Sequence, residues 1–286
     1  MLVDKPEGWT SHDVVARIRR VANTRRVGHA GTLDPMATGL LVLGVESATK
    51  LLTFIVGADK TYEATIRLGA STITDDRESE FLEQAAPEAV SEISNQNIFD
   101  GIAGLTGNLE QVPSSVSAIK VDGVRAYAKV RGGDEVKLKA RPVTVSRFDV
   151  VGEPRHIDGF IDVDVIIDCS SGTYIRALAR DLGSKLGVGG HLTALRRTRV
   201  GGYTIDQAAK LPEVGDELKV ISSVDAARVF STLELSDQQV IDLRHGKRIA
   251  NEQGLTGDIS AIHGDQLIAV LTPAGKLLKS QVVFND

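Results

Sequence analysis

The chain has 286 residues, enough for one large domain or a medium domain with a small one, and 42% apolar residues can build a real core. A net charge of −5 gives no uniform basic surface, and the single cysteine, Cys169, excludes an internal disulfide framework and argues against a cysteine-based zinc site. No run approaches the roughly 18 apolar residues of a membrane span, and the opening "MLVDKPEGWTS" lacks a basic-then-apolar leader, so a cytoplasmic protein is expected.

In chain order, "SHDVVARIRRVAN" (11–23) spaces Val14, Val15, Ile18 and Val21 as one helical face, with Thr10 or Ser11 as N-cap. "GHAGTLDPMATG" (28–39) is a loop of small residues around Asp34, which Pro35 pushes toward extended geometry. "TYEATIRLG" (61–69) alternates as a strand. Residues 75–100 hold eight acids against Arg77. Two segments are basic: 120–147 has eight cations and three acids, and 176–199 has six cations and one acid. Such local footprints favour a polyanionic ligand more than the total charge does.

"FIDVDVIIDCS" (160–170) reads as a second strand, "TYIRALARDLGSKLG" (173–187) as a helix, "GVGGH" (187–191) as a turn and "LTALRRTRVGGY" (192–203) as a basic strand. Irregular alternation of strands and helices indicates an α+β chain with a mixed sheet. Near residue 228 the composition shifts. A short helix pattern and β-strands follow, with turns expected at 263–265 and at Pro273–Ala274–Gly275. The organisation expected is therefore a domain over 1–228 and a small β-rich module over 229–286.

Phosphate loops, metal-binding histidine spacings and a G-x-S-x-G elbow are absent from the sequence. Asp34 remains as a candidate nucleophile or base beside the ordinary reading of a turn acid. Tyr62 is a strand aromatic or a stacking platform for a base, Arg176 a solvated helix cation or a carboxylate partner, and Leu195 by default a core residue.

Together, "DKPEGWTS" (4–11), "GHAGTLDPMATGLLVLGVESATK" (28–50), "DKTYEATIRLG" (59–69), "QVPSSVSAIKVDGVRAYAKVR" (111–131) and "CSSGTYIRALARDLGSKLGVGGHLTALRRTRVGGY" (169–203) resemble the TruB family of tRNA pseudouridine-55 synthases. The resemblance runs in order over residues 1 to about 205, and the closing module looks like the family's PUA-type tail. It implies a pseudouridine synthase catalytic domain over 1–228, with an RNA-gripping insertion at about 110–147, and a PUA-like RNA-binding domain over 229–286. The implied activity flips a T-loop uridine out of tRNA and isomerises it. Reactant and product have the same atoms, so no cofactor and no metal are implied.

Asp34 matches the catalytic aspartate, which attacks either the uracil ring or the ribose carbon. Arg176 matches its arginine partner, Tyr62 the stacking tyrosine, and Tyr174 and Leu195 other pocket residues. His29 matches the histidine that fills the gap left by the base. Lys5 and Pro6 match a structural motif beneath the loop. Lys120, Arg125, Lys129 and Arg131 are implied phosphate contacts. "PSS" (113–115) stands where the family often has two adjacent prolines, and Ser114 is expected to loosen the hinge there. The resemblance also implies a monomer that needs no protein partner. The alternatives are a guide-RNA-dependent synthase acting on ribosomal RNA and a non-catalytic tRNA-folding chaperone.

Overall fold

The computed structural model describes residues 1–115 and 138–284, with the backbone of residues 120–121 and 124–125. Its strands in chain order are β1 (Leu2–Lys5), β2 (Val27–His29), β3 (Thr38–Val45), β4 (Lys60–Leu68), β5 (Ala70–Thr72), β6 (Phe81–Gln84), β7 (Gly107–Gln111), β8 (Lys120–Val121) and β9 (Val124–Arg125). There follow β10 (Arg141–Val150), β11 (Arg155–Ile157), β12 (Phe160–Cys169), β13 (Gly190–Val200), β14 (Tyr203–Thr204) and β15 (Ala209–Lys210). The last five are β16 (Ser231–Glu234), β17 (Ile249–Ala250), β18 (Ile259–His263), β19 (Gln266–Ala274) and β20 (Leu277–Val283).

One large sheet runs β15-β1-β3-β13-β4-β12-β10-β7. It is mixed: β1–β15 and β3–β13 pair parallel, and the other neighbours along this path pair antiparallel. The α+β architecture with a mixed sheet is therefore observed. In β4 the period-2 alternation sends Lys60, Tyr62, Ala64, Ile66 and Leu68 to the buried face. That face packs on the helices Asn95–Ala103 and Ile175–Lys185 through Ile66, Leu68, Ile98, Ile102, Leu178 and Leu182.

The first helix spans Ser11–Val21. Thr10 caps it in a reciprocal box with Asp13, at 3.1 and 3.0 Å, a device whose loss costs about 1 kcal/mol. Val14, Val15 and Ile18 pack on Val3, Leu41 and Leu43. The helix Ile175–Lys185 is shorter than the 173–187 pattern, because Tyr174 is its extended N-cap. It lies so close to the start of β13 that a Cβ on Gly183 would stand 2.1 Å from the backbone of Gly189 and Gly190. The expected turn at 187–191 ends earlier, since Gly190 and His191 already belong to β13.

Strands β7 and β10 are antiparallel neighbours, so residues 112–140 connect them. The insertion expected at about 110–147 thus includes the end of β7 and most of β10. Lys120 pairs with Arg125 in the β8–β9 backbone ladder. The side chains of Lys120 and Arg125, and the whole of Lys129 and Arg131, lie outside the described residues. Ser114, expected to loosen this region, is fully buried.

The closing module is a five-stranded sheet, β16-β18-β19-β20-β17, with its own core around Leu243, Ile259, Ala261, Leu271 and Leu278. This small sheet is consistent with a PUA-like fold. A second cluster joins Val270 and Phe284 to Leu40, Val42 and Tyr203 of the large sheet's side. The helix here spans Asp237–Arg244. The second expected turn is displaced: Pro273 and Ala274 stay in β19, and the chain reverses at Gly275. Beyond Leu271, β19 has lost β18 and pairs with β20 alone. A proline without an N–H is tolerated at such a free edge.

Candidate active site

Asp34 stands just before the turn Pro35–Met36, with the Ala37 N–H donating to its carbonyl at 3.1 Å. The ordinary turn reading is therefore correct for the backbone. The turn is also held from below. The buried Lys5 ammonium donates to the carbonyls of Pro6, Trp9 and Pro35 at 3.0, 2.6 and 3.2 Å. The Gly8 N–H donates to Pro35 as well, at 2.9 Å. Ser11 brackets Leu33, accepting from its N–H at 2.9 Å and donating to its carbonyl at 3.2 Å. The structural role given to Lys5 thus has a geometry. Burial pulls the Lys5 ammonium down to about 8, against the raising effect of Asp34.

The guanidinium of Arg176 reaches the Asp34 carboxylate through two donors, Nε at 2.9 Å and Nη2 at 3.3 Å. Arg176 is 5% exposed and Asp34 35%. A buried fork behind a carboxylate that keeps an open edge fixes its direction without covering it. The same guanidinium donates to the Thr74 carbonyl at 2.6 Å and lies 3.6 Å from the Asp76 carboxylate, which is 2% exposed. Asp76 in turn accepts from the Glu78 N–H at 2.9 Å and from the Thr74 hydroxyl. The Glu78 carboxyl is pushed up by burial and by Asp76 and Asp34.

A cavity of about 280 Å³ opens at this point, lined by Asp34, Lys60, Tyr62, Tyr174, Arg176, Leu195 and Arg197, among others. Tyr62 and Lys60 come from the inward face of β4, and Leu195 sits opposite Ala64 on β13. Burial pushes the Tyr62 phenol up, so the ring is kept neutral. Tyr174 is held at the helix start by Gln111 of β7, which accepts from its N–H at 2.9 Å and donates to its carbonyl at 3.0 Å. Five sequence-derived residues, Asp34, Tyr62, Tyr174, Arg176 and Leu195, therefore line one cavity.

His29 does not line it. It lies on β2 opposite Leu43, with its ring 5.7 Å from that of His12. Burial lowers its imidazole, and its Nδ1 is buried with no partner among the described residues.

The structure adds Lys60, Arg197 and Asp76. Sequence reading treated Asp76 as part of an acidic stretch and Arg197 as one cation in a basic strand. Charge patterning does not show which charges are buried. For the same reason the basic footprint over 176–199 needs correction. Arg176 engages Asp34, Arg180 pairs with Asp75 and Asp181, Arg196 with Asp4, and Arg199 with Asp168. Arg197 is spent on backbone carbonyls. Four of these cations are paired with carboxylates and the fifth, Arg197, is buried against carbonyls, so they do not form a free phosphate-binding face.

A half-exposed carboxylate, a buried guanidinium behind it and the rings of Tyr62 and Tyr174 are thus gathered at one cavity. Residues 19–175 match the TruB family pseudouridylate synthase N-terminal domain, and residues 176–237 match the tRNA pseudouridylate synthase B C-terminal domain. The chain is 57% identical over 281 residues to a tRNA pseudouridine synthase B of Leifsonia xyli, covering 97% of this chain and 90% of that protein. It is 51% identical over 282 residues to the tRNA pseudouridine synthase B of Corynebacterium diphtheriae, covering 97% and 93%. A solved Cbf5–Nop10–Gar1 complex contains a chain of the same fold at 23% identity, with a TM-score of 0.71 over 99% of this chain and 84% of that one. This chain belongs to the TruB family of pseudouridine synthases.

Proposed function

We propose that this protein isomerises a T-loop uridine of tRNA, at position 55, to pseudouridine, with Asp34 as the nucleophile. It is a tRNA pseudouridine synthase, an isomerase. The observation that carries the role of Asp34 is its two-donor contact with the buried Arg176 at the mouth of the cavity. A base stacked within the T-loop does not present its ring or its glycosidic bond to a carboxylate at a cavity mouth. The base has to flip, at a cost of a few kcal/mol that contacts in the pocket offset. Tyr62 is the stacking surface, Tyr174 and Leu195 close the sides, and His29 fills the gap left in the loop. Asp34 bonds to the uracil ring or to the ribose carbon and is released again; the glycosidic carbon–nitrogen bond breaks before carbon 5 joins the sugar, and the proton lost from carbon 5 is balanced by one gained at the freed ring nitrogen.

Residues 1–228 form the catalytic domain in this reading, and residues 229–286 the PUA-like RNA-binding domain. Lys120, Arg125, Lys129 and Arg131 grip the RNA backbone. Neutralising four phosphates gives a log–log salt slope of about −3 to −4 in binding. The enzyme works as a cytoplasmic monomer on tRNA without an obligatory protein partner. Among the described residues, no helix is long and apolar enough to cross a membrane.

A guide-RNA-dependent synthase shares the fold, but likeness at 22–23% identity carries the fold alone. Relatives at 51–57% identity are tRNA pseudouridine synthases B, which favours tRNA as substrate. Incubating the purified chain alone with a bare T-loop hairpin decides between the two. Pseudouridine formation without guide or partner is expected, and its absence on a good tRNA substrate would reject the reading. A tRNA-folding chaperone without chemistry would be indifferent to Asp34→Asn.

A further inference from the structure

We propose that Arg197 is a positioning residue for this reaction: its guanidinium ties the loop carrying Asp34 to the strand pair that presents Tyr62. The proposal rests on the reading of Asp34 and Tyr62 as groups that meet the target base.

The register of the sheet sets the arrangement. Arg197 on β13 is directly opposite Tyr62 on β4, both on the buried face. Directly opposed residues hold their Cβ atoms about 5 Å apart. On its other side Arg197 is opposite Gly39 of β3, the residue that closes the catalytic loop. Gly39 has φ +100°, and a Cβ there would stand 2.3 Å from the Arg197 carbonyl oxygen. No side chain separates the two strands at that point.

The guanidinium then reaches three carbonyls of the loop and its exit. Nε donates to Leu40 at 2.8 Å, Nη2 to Gly31 at 3.1 Å and Nη1 to Thr32 at 3.4 Å. Its positive charge also opposes the effect of burial on the Tyr62 phenol. Arg197 is 1% exposed, and among the described residues no carboxylate lies within ion-pair distance of it. A buried guanidinium satisfied by carbonyls is an expensive way to fill a core position that an apolar side chain could occupy. Its use is geometric. One rigid fork holds Gly31 and Thr32, just ahead of Asp34, at a set distance from the ring on which the base stacks.

The test uses full-length chain and a full-length tRNA transcript, with Arg197→Lys, Arg197→Met, Tyr62→Phe and the double variant Arg197→Lys/Tyr62→Phe. Arg197→Lys should lower kcat by about 100-fold, the scale expected for a small misplacement of reacting groups, with KM and tRNA affinity unchanged. Arg197→Met should lose at least as much. If Arg197 sets the position of the loop relative to Tyr62, the two residues act as a unit, and adding Tyr62→Phe to Arg197→Lys should give far less than the product of the two single losses. Multiplicative losses, a wild-type rate for Arg197→Lys, or a loss confined to KM would each overturn the proposal. Thermal unfolding identifies variants that fail to fold. In that event the side-chain N–H resonances of Arg197 are compared in wild type and Tyr62→Phe. A shift supports the clamp, and identical resonances overturn it. A wild-type chain that forms no pseudouridine would defeat the functional reading itself, whereas an active wild type with an indifferent Arg197→Lys defeats only the clamp.

Discussion

Arg196 and Arg197 are neighbours in β13, yet they belong to opposite faces of the large sheet and to different kinds of chemistry. On the outer face, Arg196 pairs with Asp4 at 2.7 Å, Arg67 with Asp162 at 2.7 Å, and Arg155 with Asp164, largely in half-exposed surroundings. On the inner face, Arg197 is buried against carbonyls and Tyr62, while Arg176 faces Asp34 and Asp76. Apart from the pair of the buried Asp162, the outer pairs are screened by water and contribute little individually. The inner cations are enclosed, so each distance they fix is transmitted to the site. For the neighbours Arg196 and Arg197, strand alternation decides which belongs to which group.

Substitutions on the two faces should therefore separate by orders of magnitude. The largest effect is expected for Asp34→Asn. It should lower turnover by about 10⁴-fold or more while the equilibrium affinity for tRNA, measured by filter binding, stays the same. Arg176→Ala comes next, with kcat lower by about 10³-fold and affinity changed far less. It also strands the buried Asp76 carboxylate, so chemical denaturation should show a loss of about 3 kcal/mol. A deficit in affinity alone would make Arg176 an ordinary phosphate contact.

Lys5→Met should loosen the Pro35 turn and change the pH dependence of stability. The Lys5 ammonium sits near 8 in the folded chain and at 10.5 when solvated. Between these values the unfolded chain holds the extra proton, so this group makes native stability rise with pH from about 8 toward 10.5. Below about 8 it contributes no slope. Denaturation curves at pH 7, 9 and 10 should show a smaller alkaline rise in the variant, and an equal rise would remove Lys5 from the account. The smallest effect belongs to Arg196→Ala: less than about 1 kcal/mol in stability and no change in turnover. A large catalytic loss there would erase the distinction between the faces.

What could be read from the sequence follows the same division. The alternation in "TYEATIRLG" places Tyr62 on the buried face because a strand leaves only two choices. The stripe in 11–23 yields a helix because its apolar positions share one side. Asp34, Tyr62, Tyr174, Arg176 and Leu195 were legible together through motifs in register with a known family, though no one of them stood out alone. Lys60, Asp76 and Arg197 were not legible. A buried charge is made possible by partners distant in the chain, such as Gly31 for Arg197 or Arg176 for Asp76, and local sequence does not record them. Pro273 shows the same limit at a boundary. It reads as a turn residue, and only the absence of β18 beside it explains why it sits in a strand.

Mass-resolved mapping of one tRNA after incubation with the purified chain tests the central claim most directly. Pseudouridine carries the mass of uridine, so the map needs a reagent that tags pseudouridine alone. One tagged nucleotide is expected, at position 55 in the T-loop, present with the wild-type chain and absent with Asp34→Asn. A tag elsewhere in the tRNA, or an equal tag with Asp34→Asn, would contradict it.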